Sequence, residues 1–86
     1  MNPVVLPFET HLAEAKQRLE DAHTRETLRD QWHTDRGVLR GYYLAGAVCE
    51  VEYQAARREL QRVYESRLGI LDLQAEWRRR HPTETD

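Results

Sequence analysis

One thiol, one serine hydroxyl and four imidazoles are the groups in this 86-residue chain from which nucleophilic or metal chemistry would have to be assembled. Their spacing assembles neither. His11, His23, His33 and His81 are scattered, and no His-Glu-x-x-His or similar ligand pattern joins any two of them. Solvated histidines on helix surfaces fit that distribution. Cys49 could attack a substrate only beside a base and an oxyanion site, and its place in an apolar row reads as a structural thiol. Ser66 lies in an arginine-rich stretch without the glycine pattern of a nucleophile elbow. Leu39-Arg-Gly-Tyr-Tyr-Leu-Ala-Gly46 holds two glycines, yet it lacks the Lys-Ser/Thr pair of a phosphate loop. The acidic residues are dispersed, many at helical spacing from an arginine. The sequence therefore predicts no enzyme, no cofactor and no metal site.

Arginine is the one remaining chemical resource, with twelve copies against a single lysine, Lys16. Two clusters stand out: Arg57, Arg58 and Arg62, and the run Arg78, Arg79, Arg80 that ends beside His81. Guanidinium groups so gathered could hold phosphate or an acidic protein surface. Against this, Glu59, Glu65 and Glu76 dilute both clusters, the formal net charge is -2, and positive charge at a helix C-terminus is favourable in itself. Nucleic-acid binding is accordingly the alternative reading.

The elements that would position these groups are helical. Counting in sevens from Tyr42 meets Cys49, Ala56, Val63, Ile70 and Trp77, and a second row runs Leu39, Gly46, Tyr53, Leu60. Phe8, Leu12, Ala15, Leu19 and Ala22 form an earlier stripe at 4-3-4-3 spacing, after which Leu28 and Trp32 fall on the opposite side, so that either the helix bends near His23 and Thr24 or its last turns touch a different neighbour. Thr34-Asp35-Arg36-Gly37 is the strongest turn signal. The pattern predicts an all-α antiparallel helical hairpin, spanning about 8–33 and 38–68 within a single domain over 1–81, followed either by a short third helix at 71–80 or by continuation of the second helix through Gly69, as the row ending in Ile70 and Trp77 suggests. Residues 1–6 are expected to be extended and residues 82–86 to form a flexible tail. With the turn at 34–37, facing residues sum to about 71, pairing Trp32 with Leu39, Ala22 with Cys49, Leu19 with Tyr53, Ala15 with Ala56, Leu12 with Leu60 and Phe8 with Val63.

This hairpin leaves two apolar groups over. Leu44, Val48, Val51 and Ala55 would line the back of the second helix, and Ile70, Leu71, Leu73 and Trp77 would either close over Val4, Val5, Leu6 and Tyr64 at the open end of the hairpin or enter a neighbouring subunit. A curved three-helix arrangement could cover the first group. Otherwise it needs a second chain, because each large apolar side chain left in water costs about 1.5–3 kcal/mol. The expectation is a bundle completed by oligomerisation, with the chain itself as a homodimer, or a host protein, as partner. A single cysteine excludes an intrachain disulfide and points to a reducing compartment. No leader pattern and no run of about 20 apolar residues is present, so the sequence reads as cytoplasmic and not membrane-bound.

Arg36-Gly37-Val38-Leu39-Arg40-Gly41-Tyr42-Tyr43 resembles a stretch in small uncharacterised helical accessory proteins of tailed bacteriophages, where an Arg-Gly pair opens a helix and a second glycine follows. The resemblance covers eight residues and transfers no catalytic group. It implies a phage-encoded inhibitor or modulator of a host protein, acting in the host cytoplasm, or a minor virion or assembly protein. The functional expectation is a non-enzymatic protein-protein interaction module, with a self-assembling structural component as a further alternative.

Overall fold

The computed structural model describes residues 7–81, all helical apart from short connections: α1, Phe8–Glu20; α2, Arg25–Leu44; and α3, Glu50–Arg80. The segments expected at 1–6 and 82–86, with the contact to Val4, Val5 and Leu6, lie outside the described residues.

The helix boundaries differ from the expected ones, and each difference has a local cause. The first break falls at the phase change of the apolar stripe, not at Gly37. There Thr24 caps α2, its Oγ1 accepting the Thr27 N–H at 3.0 Å. Through residues 34–37 α2 continues unbroken, because Asp35 spends its carboxylate on neighbouring side chains and forms no turn. The second break is made by Gly46, read in the sequence as helix interior. Its φ of 78° is the left-handed conformation that ends a helix. The Ala47 N–H then reaches the Tyr42 carbonyl at 2.9 Å, and the Gly46 N–H reaches that of Tyr43 at 3.0 Å, the two bonds of a Schellman motif. Cys49 precedes α3, where Glu52 Oε1 accepts its backbone N–H at 3.4 Å. From there α3 runs through Gly69 to Arg80 as one helix, so of the two arrangements left open the continuous one is found and there is no separate helix at 71–80.

Cross-helix contacts fix the directions. Phe8 meets Tyr42 edge-on at 5.4 Å and Arg18 bonds Asp35 at 3.1 Å, so α1 and α2 are antiparallel. Tyr43 stacks on Tyr53 at 4.8 Å, Trp32 on Tyr64 at 5.1 Å, and Arg25 pairs with Asp72 at 3.2 Å, so α2 and α3 are antiparallel as well. Lys16 pairs with Glu59, and the Arg67 Nε–H donates to the Ala22 carbonyl at 2.8 Å, which sets α1 parallel to α3. The fold is an up-down-up three-helix arrangement in place of a two-helix hairpin. The pairings summing to 71 are corrected accordingly: Trp32 and Leu39 share α2, and Ala15 and Ala56 belong to parallel helices.

The core is nevertheless built from the expected stripes. Ala15, Leu19 and Ala22 meet Leu28, Trp32 and Leu39 of α2 and Ala56, Leu60 and Leu71 of α3, with Phe8, Leu12, Tyr53, Val63, Tyr64 and Leu68 packed around them. The helices have 13, 20 and 31 residues, or about 20, 30 and 46 Å at 1.5 Å per residue. Since α2 begins beside Asp72, the last two turns of α3 run on with no helix alongside them among the described residues.

Two glycine substitutions should act in opposite directions. An alanine at Gly69 meets nothing within 4 Å and replaces a poor helix former, so Gly69→Ala should stabilise by about 1 kcal/mol. Gly46→Ala also has room, but forces a side chain into the left-handed region and should destabilise by about 1–2 kcal/mol. Urea unfolding followed by circular dichroism measures both. Equal effects of one sign would contradict the assigned helix boundaries.

Candidate functional site

The polar interior comes first, because it is the least expected part of the chain. The buried face of α2 reads Leu28, Trp32, Asp35, Leu39, placing a carboxylate in an apolar seam. Asp35 is fully buried. Its Oδ1 accepts from Arg18 Nη2 at 3.1 Å, and Gln31 Nε2 donates to both carboxylate oxygens at 3.1 and 3.2 Å. A buried carboxylate so supplied keeps its charge compensated. Two turns further along, His11 of α1 is buried against Tyr42, with ring centroids 5.6 Å apart. Its Nε2 has no hydrogen-bond partner among the described residues. Burial lowers the His11 pKa below its usual 6.5, Arg18 adds to this, and Asp35 and Glu14 oppose it. The cluster is closed over by α1, and its geometry is that of a clamp between two helices.

The apolar residues expected to bind protein divide between the two ends of the fold. Leu44 closes α2 and Val51 opens α3; they are 70% and 78% exposed, and Ala55 is exposed beside them. Val48 does not belong with them: it is buried in the connection between α2 and α3. The expected back stripe is thus no helix face, because Gly46 breaks the helix in its middle. Cys49 is also displaced from its expected core position and is exposed.

At the other end Ile70, Leu73 and Trp77 are 42%, 67% and 54% exposed. At 100° per residue they lie within about 60° of one another on α3. The Trp77 ring stacks on His81 at 4.1 Å, and His81 Nδ1 lies 2.9 Å from the Trp77 carbonyl. The stripe continues into a cleft of about 240 Å³ between the end of α1 and α3, lined by Glu20, Arg62, Val63, Ser66, Arg67 and Ile70.

The arginine clusters are rearranged by packing. Arg62 lines that α1-side cleft, whereas Arg57 turns to the opposite side of α3, so the trio Arg57, Arg58, Arg62 forms no single patch. Arg78, Arg79 and Arg80 are exposed on the projecting end of α3, and Arg80 is tied to Glu76 at 2.8 Å. Arg57 instead joins His33, Arg36, Gly37, Arg40 and Tyr53 around a cleft of about 320 Å³ between α2 and α3. The sequence carried a signal for this group in the 3-4 spacing of His33, Arg36 and Arg40, which places them on one face of α2. No group of three or more potential metal ligands occurs among the described residues, and no helix is long and apolar enough to cross a membrane.

The buried imidazole makes stability pH-dependent. With its folded pKa below the unfolded value of 6.5, His11 binds its proton more readily in the unfolded chain. Its contribution is intact above that value and is lost as pH falls below it. Unfolding midpoints between about pH 7.5 and pH 5.5 should fall with acidification, by at most about 1.4 kcal/mol per pH unit from this group. His11→Phe should flatten that part of the profile; an unchanged slope would contradict the assignment.

Residues 36–43, expected to open a helix, lie in the C-terminal half of α2. No protein-family model matches this chain, and neither curated proteins nor solved structures show a match to it.

Proposed function

We propose that this chain is a non-enzymatic protein-interaction module whose contact surface is the projecting end of α3. One observation carries the reading. Leu73 and Trp77 are exposed on the part of α3 that outruns both other helices, and Ile70, exposed beside the end of α1, joins them in one apolar stripe. Tryptophan in such a setting is the residue type most often responsible for binding energy at interfaces. The ring contact with His81 holds the indole in place, so little side-chain freedom remains to be lost on docking.

The stripe suits an isologous contact. Two copies laid antiparallel about Leu73 and Gln74 would put Ile70 of each opposite Trp77 of the other. Such a contact is small beside the roughly 1,200–2,000 Å² of stable interfaces, so a reversible homodimer is the expected form, and a larger partner protein would use the same stripe. Leu44 and Val51, at the opposite end, are too distant to belong to it. A phage-encoded modulator of a host protein, or a minor assembly component, remains a proposal resting on the resemblance of residues 36–43 alone. Nucleic-acid binding by the trio Arg57, Arg58, Arg62 is disfavoured by their division between two sides of α3.

Light scattering across a dilution series tests the proposal. The native chain should exceed the 10.2 kDa monomer at high concentration and dissociate on dilution. Leu73→Glu and Trp77→Glu should each stay monomeric, with native helix content and unfolding midpoints within about 0.5 kcal/mol of the parent, as expected of exposed positions. A native chain that is monomeric throughout, or variants that associate equally well, would overturn it.

A further inference from the structure

The cleft between α2 and α3 concentrates positive charge that the rest of the molecule leaves uncompensated. Arg36 and Arg40 stand one turn apart on α2, His33 precedes them on the same face, and Arg57 faces them from α3. No carboxylate lines this cleft. The ion pairs among the described residues join Lys16 to Glu59, Arg18 to Asp35, Arg25 to Asp72 and Arg80 to Glu76, and use none of the three arginines. In a chain with 15 acidic and 13 basic residues, carboxylates were available to pair with them. Two guanidinium groups at i and i+4 with a third across the groove repel one another, and an anion seated between them would remove that repulsion.

The walls of the cleft are held in position. The Arg36 guanidinium lies over the Trp32 ring, 5.5 Å from its centroid, and Trp32 is itself stacked on Tyr64 with an interplanar angle of 13°. On the other side Tyr53, which lines the cleft, is stacked on Tyr43 at 12°. Between Arg36 and Arg40 the floor is Gly37, where an added Cβ would meet nothing within 4 Å. A side chain at this position would occupy space the cleft now offers. Glu65 lines an adjoining recess with Arg36 and Arg57 but forms an ion pair with neither.

From this arrangement we infer that the α2–α3 cleft is a binding site for a diphosphate group, free or as the phosphate end of a nucleotide. Planar, permanently charged guanidinium groups match phosphate oxygens two at a time. Three of them balance the charge of two phosphoryl groups, each carrying about 1.5–2 negative charges when terminal. Beside it lies a recess lined by Trp32, Arg36, Gln61 and Tyr64, into which the base of a bound nucleotide would extend. The site is distinct from the α3 stripe and does not depend on it.

Calorimetric titration of the native chain with inorganic pyrophosphate, and separately with ADP, tests the inference. Saturable one-to-one binding is expected at low salt, weakened at least about tenfold by Arg57→Gln and abolished by Gly37→Glu, which fills the cleft and adds a carboxylate while favouring the helix. Arg79→Gln, on the projecting end of α3, should leave affinity unchanged. Tighter binding of ADP than of pyrophosphate identifies a nucleotide, and equal affinity a free diphosphate. Absence of saturable binding, an equal loss with Arg79→Gln, or full affinity in a folded Gly37→Glu chain would each overturn it. So would binding of a single-stranded oligonucleotide that pyrophosphate does not displace.

Discussion

The ion pair between Arg18 and the fully buried carboxylate of Asp35 decides how the three helices can lie. A carboxylate in an apolar seam is tolerated only when its charge is met. Here one partner comes from α1 and another, Gln31, from the preceding turn of α2. That requirement keeps residues 34–37 helical and holds the end of α1 against the middle of α2. With α1 so fixed, the connection at residues 21–24 is short enough that α1 and α2 must be antiparallel, and α3, returning after Gly46, must run parallel to α1.

The surfaces follow from unequal helix lengths under this arrangement. α1 covers one side of the α2–α3 groove with its 13 residues and leaves the other side open. On the open side the exposed flank of α2 carries His33, Arg36 and Arg40, which is why the basic cleft forms away from α1. At 31 residues α3 is the longest helix by eleven. Its excess length emerges where α2 begins, carrying Leu73 and Trp77 into water. One end of the molecule is therefore apolar and one side is cationic, and the two belong to different elements of the same packing solution.

How much of this could be read in the sequence depends on the range of the interaction. Apolar spacing is local, and Leu12, Ala15, Leu19, Trp32, Leu39, Ala56 and Leu60 were legible as core without knowledge of the fold. Direction was not legible. Stripes with a 3.5-residue period match one another at any heptad offset and in either orientation, so sums near 71 carry no information about which way α1 runs. The turn was misread because glycine and aspartate signal turns only when nothing else claims them. Asp35 is claimed by Arg18, while Gly46, inside an apolar row, supplies the left-handed residue that stops α2. Arg57 looked like a neighbour of Arg58 and Arg62, but helical rotation separates them and only packing brings it to Arg36 and Arg40.

The most direct test is a double-mutant cycle on the clamp, comparing urea unfolding of Arg18→Ala, Asp35→Ala and the double variant with the parent. A carboxylate buried against its guanidinium should give each single substitution a large cost and a coupling of about 2 kcal/mol, since the second removal no longer strands a partner. A coupling near zero, with Asp35→Ala almost neutral, would place Asp35 in an exposed turn and contradict the three-helix account.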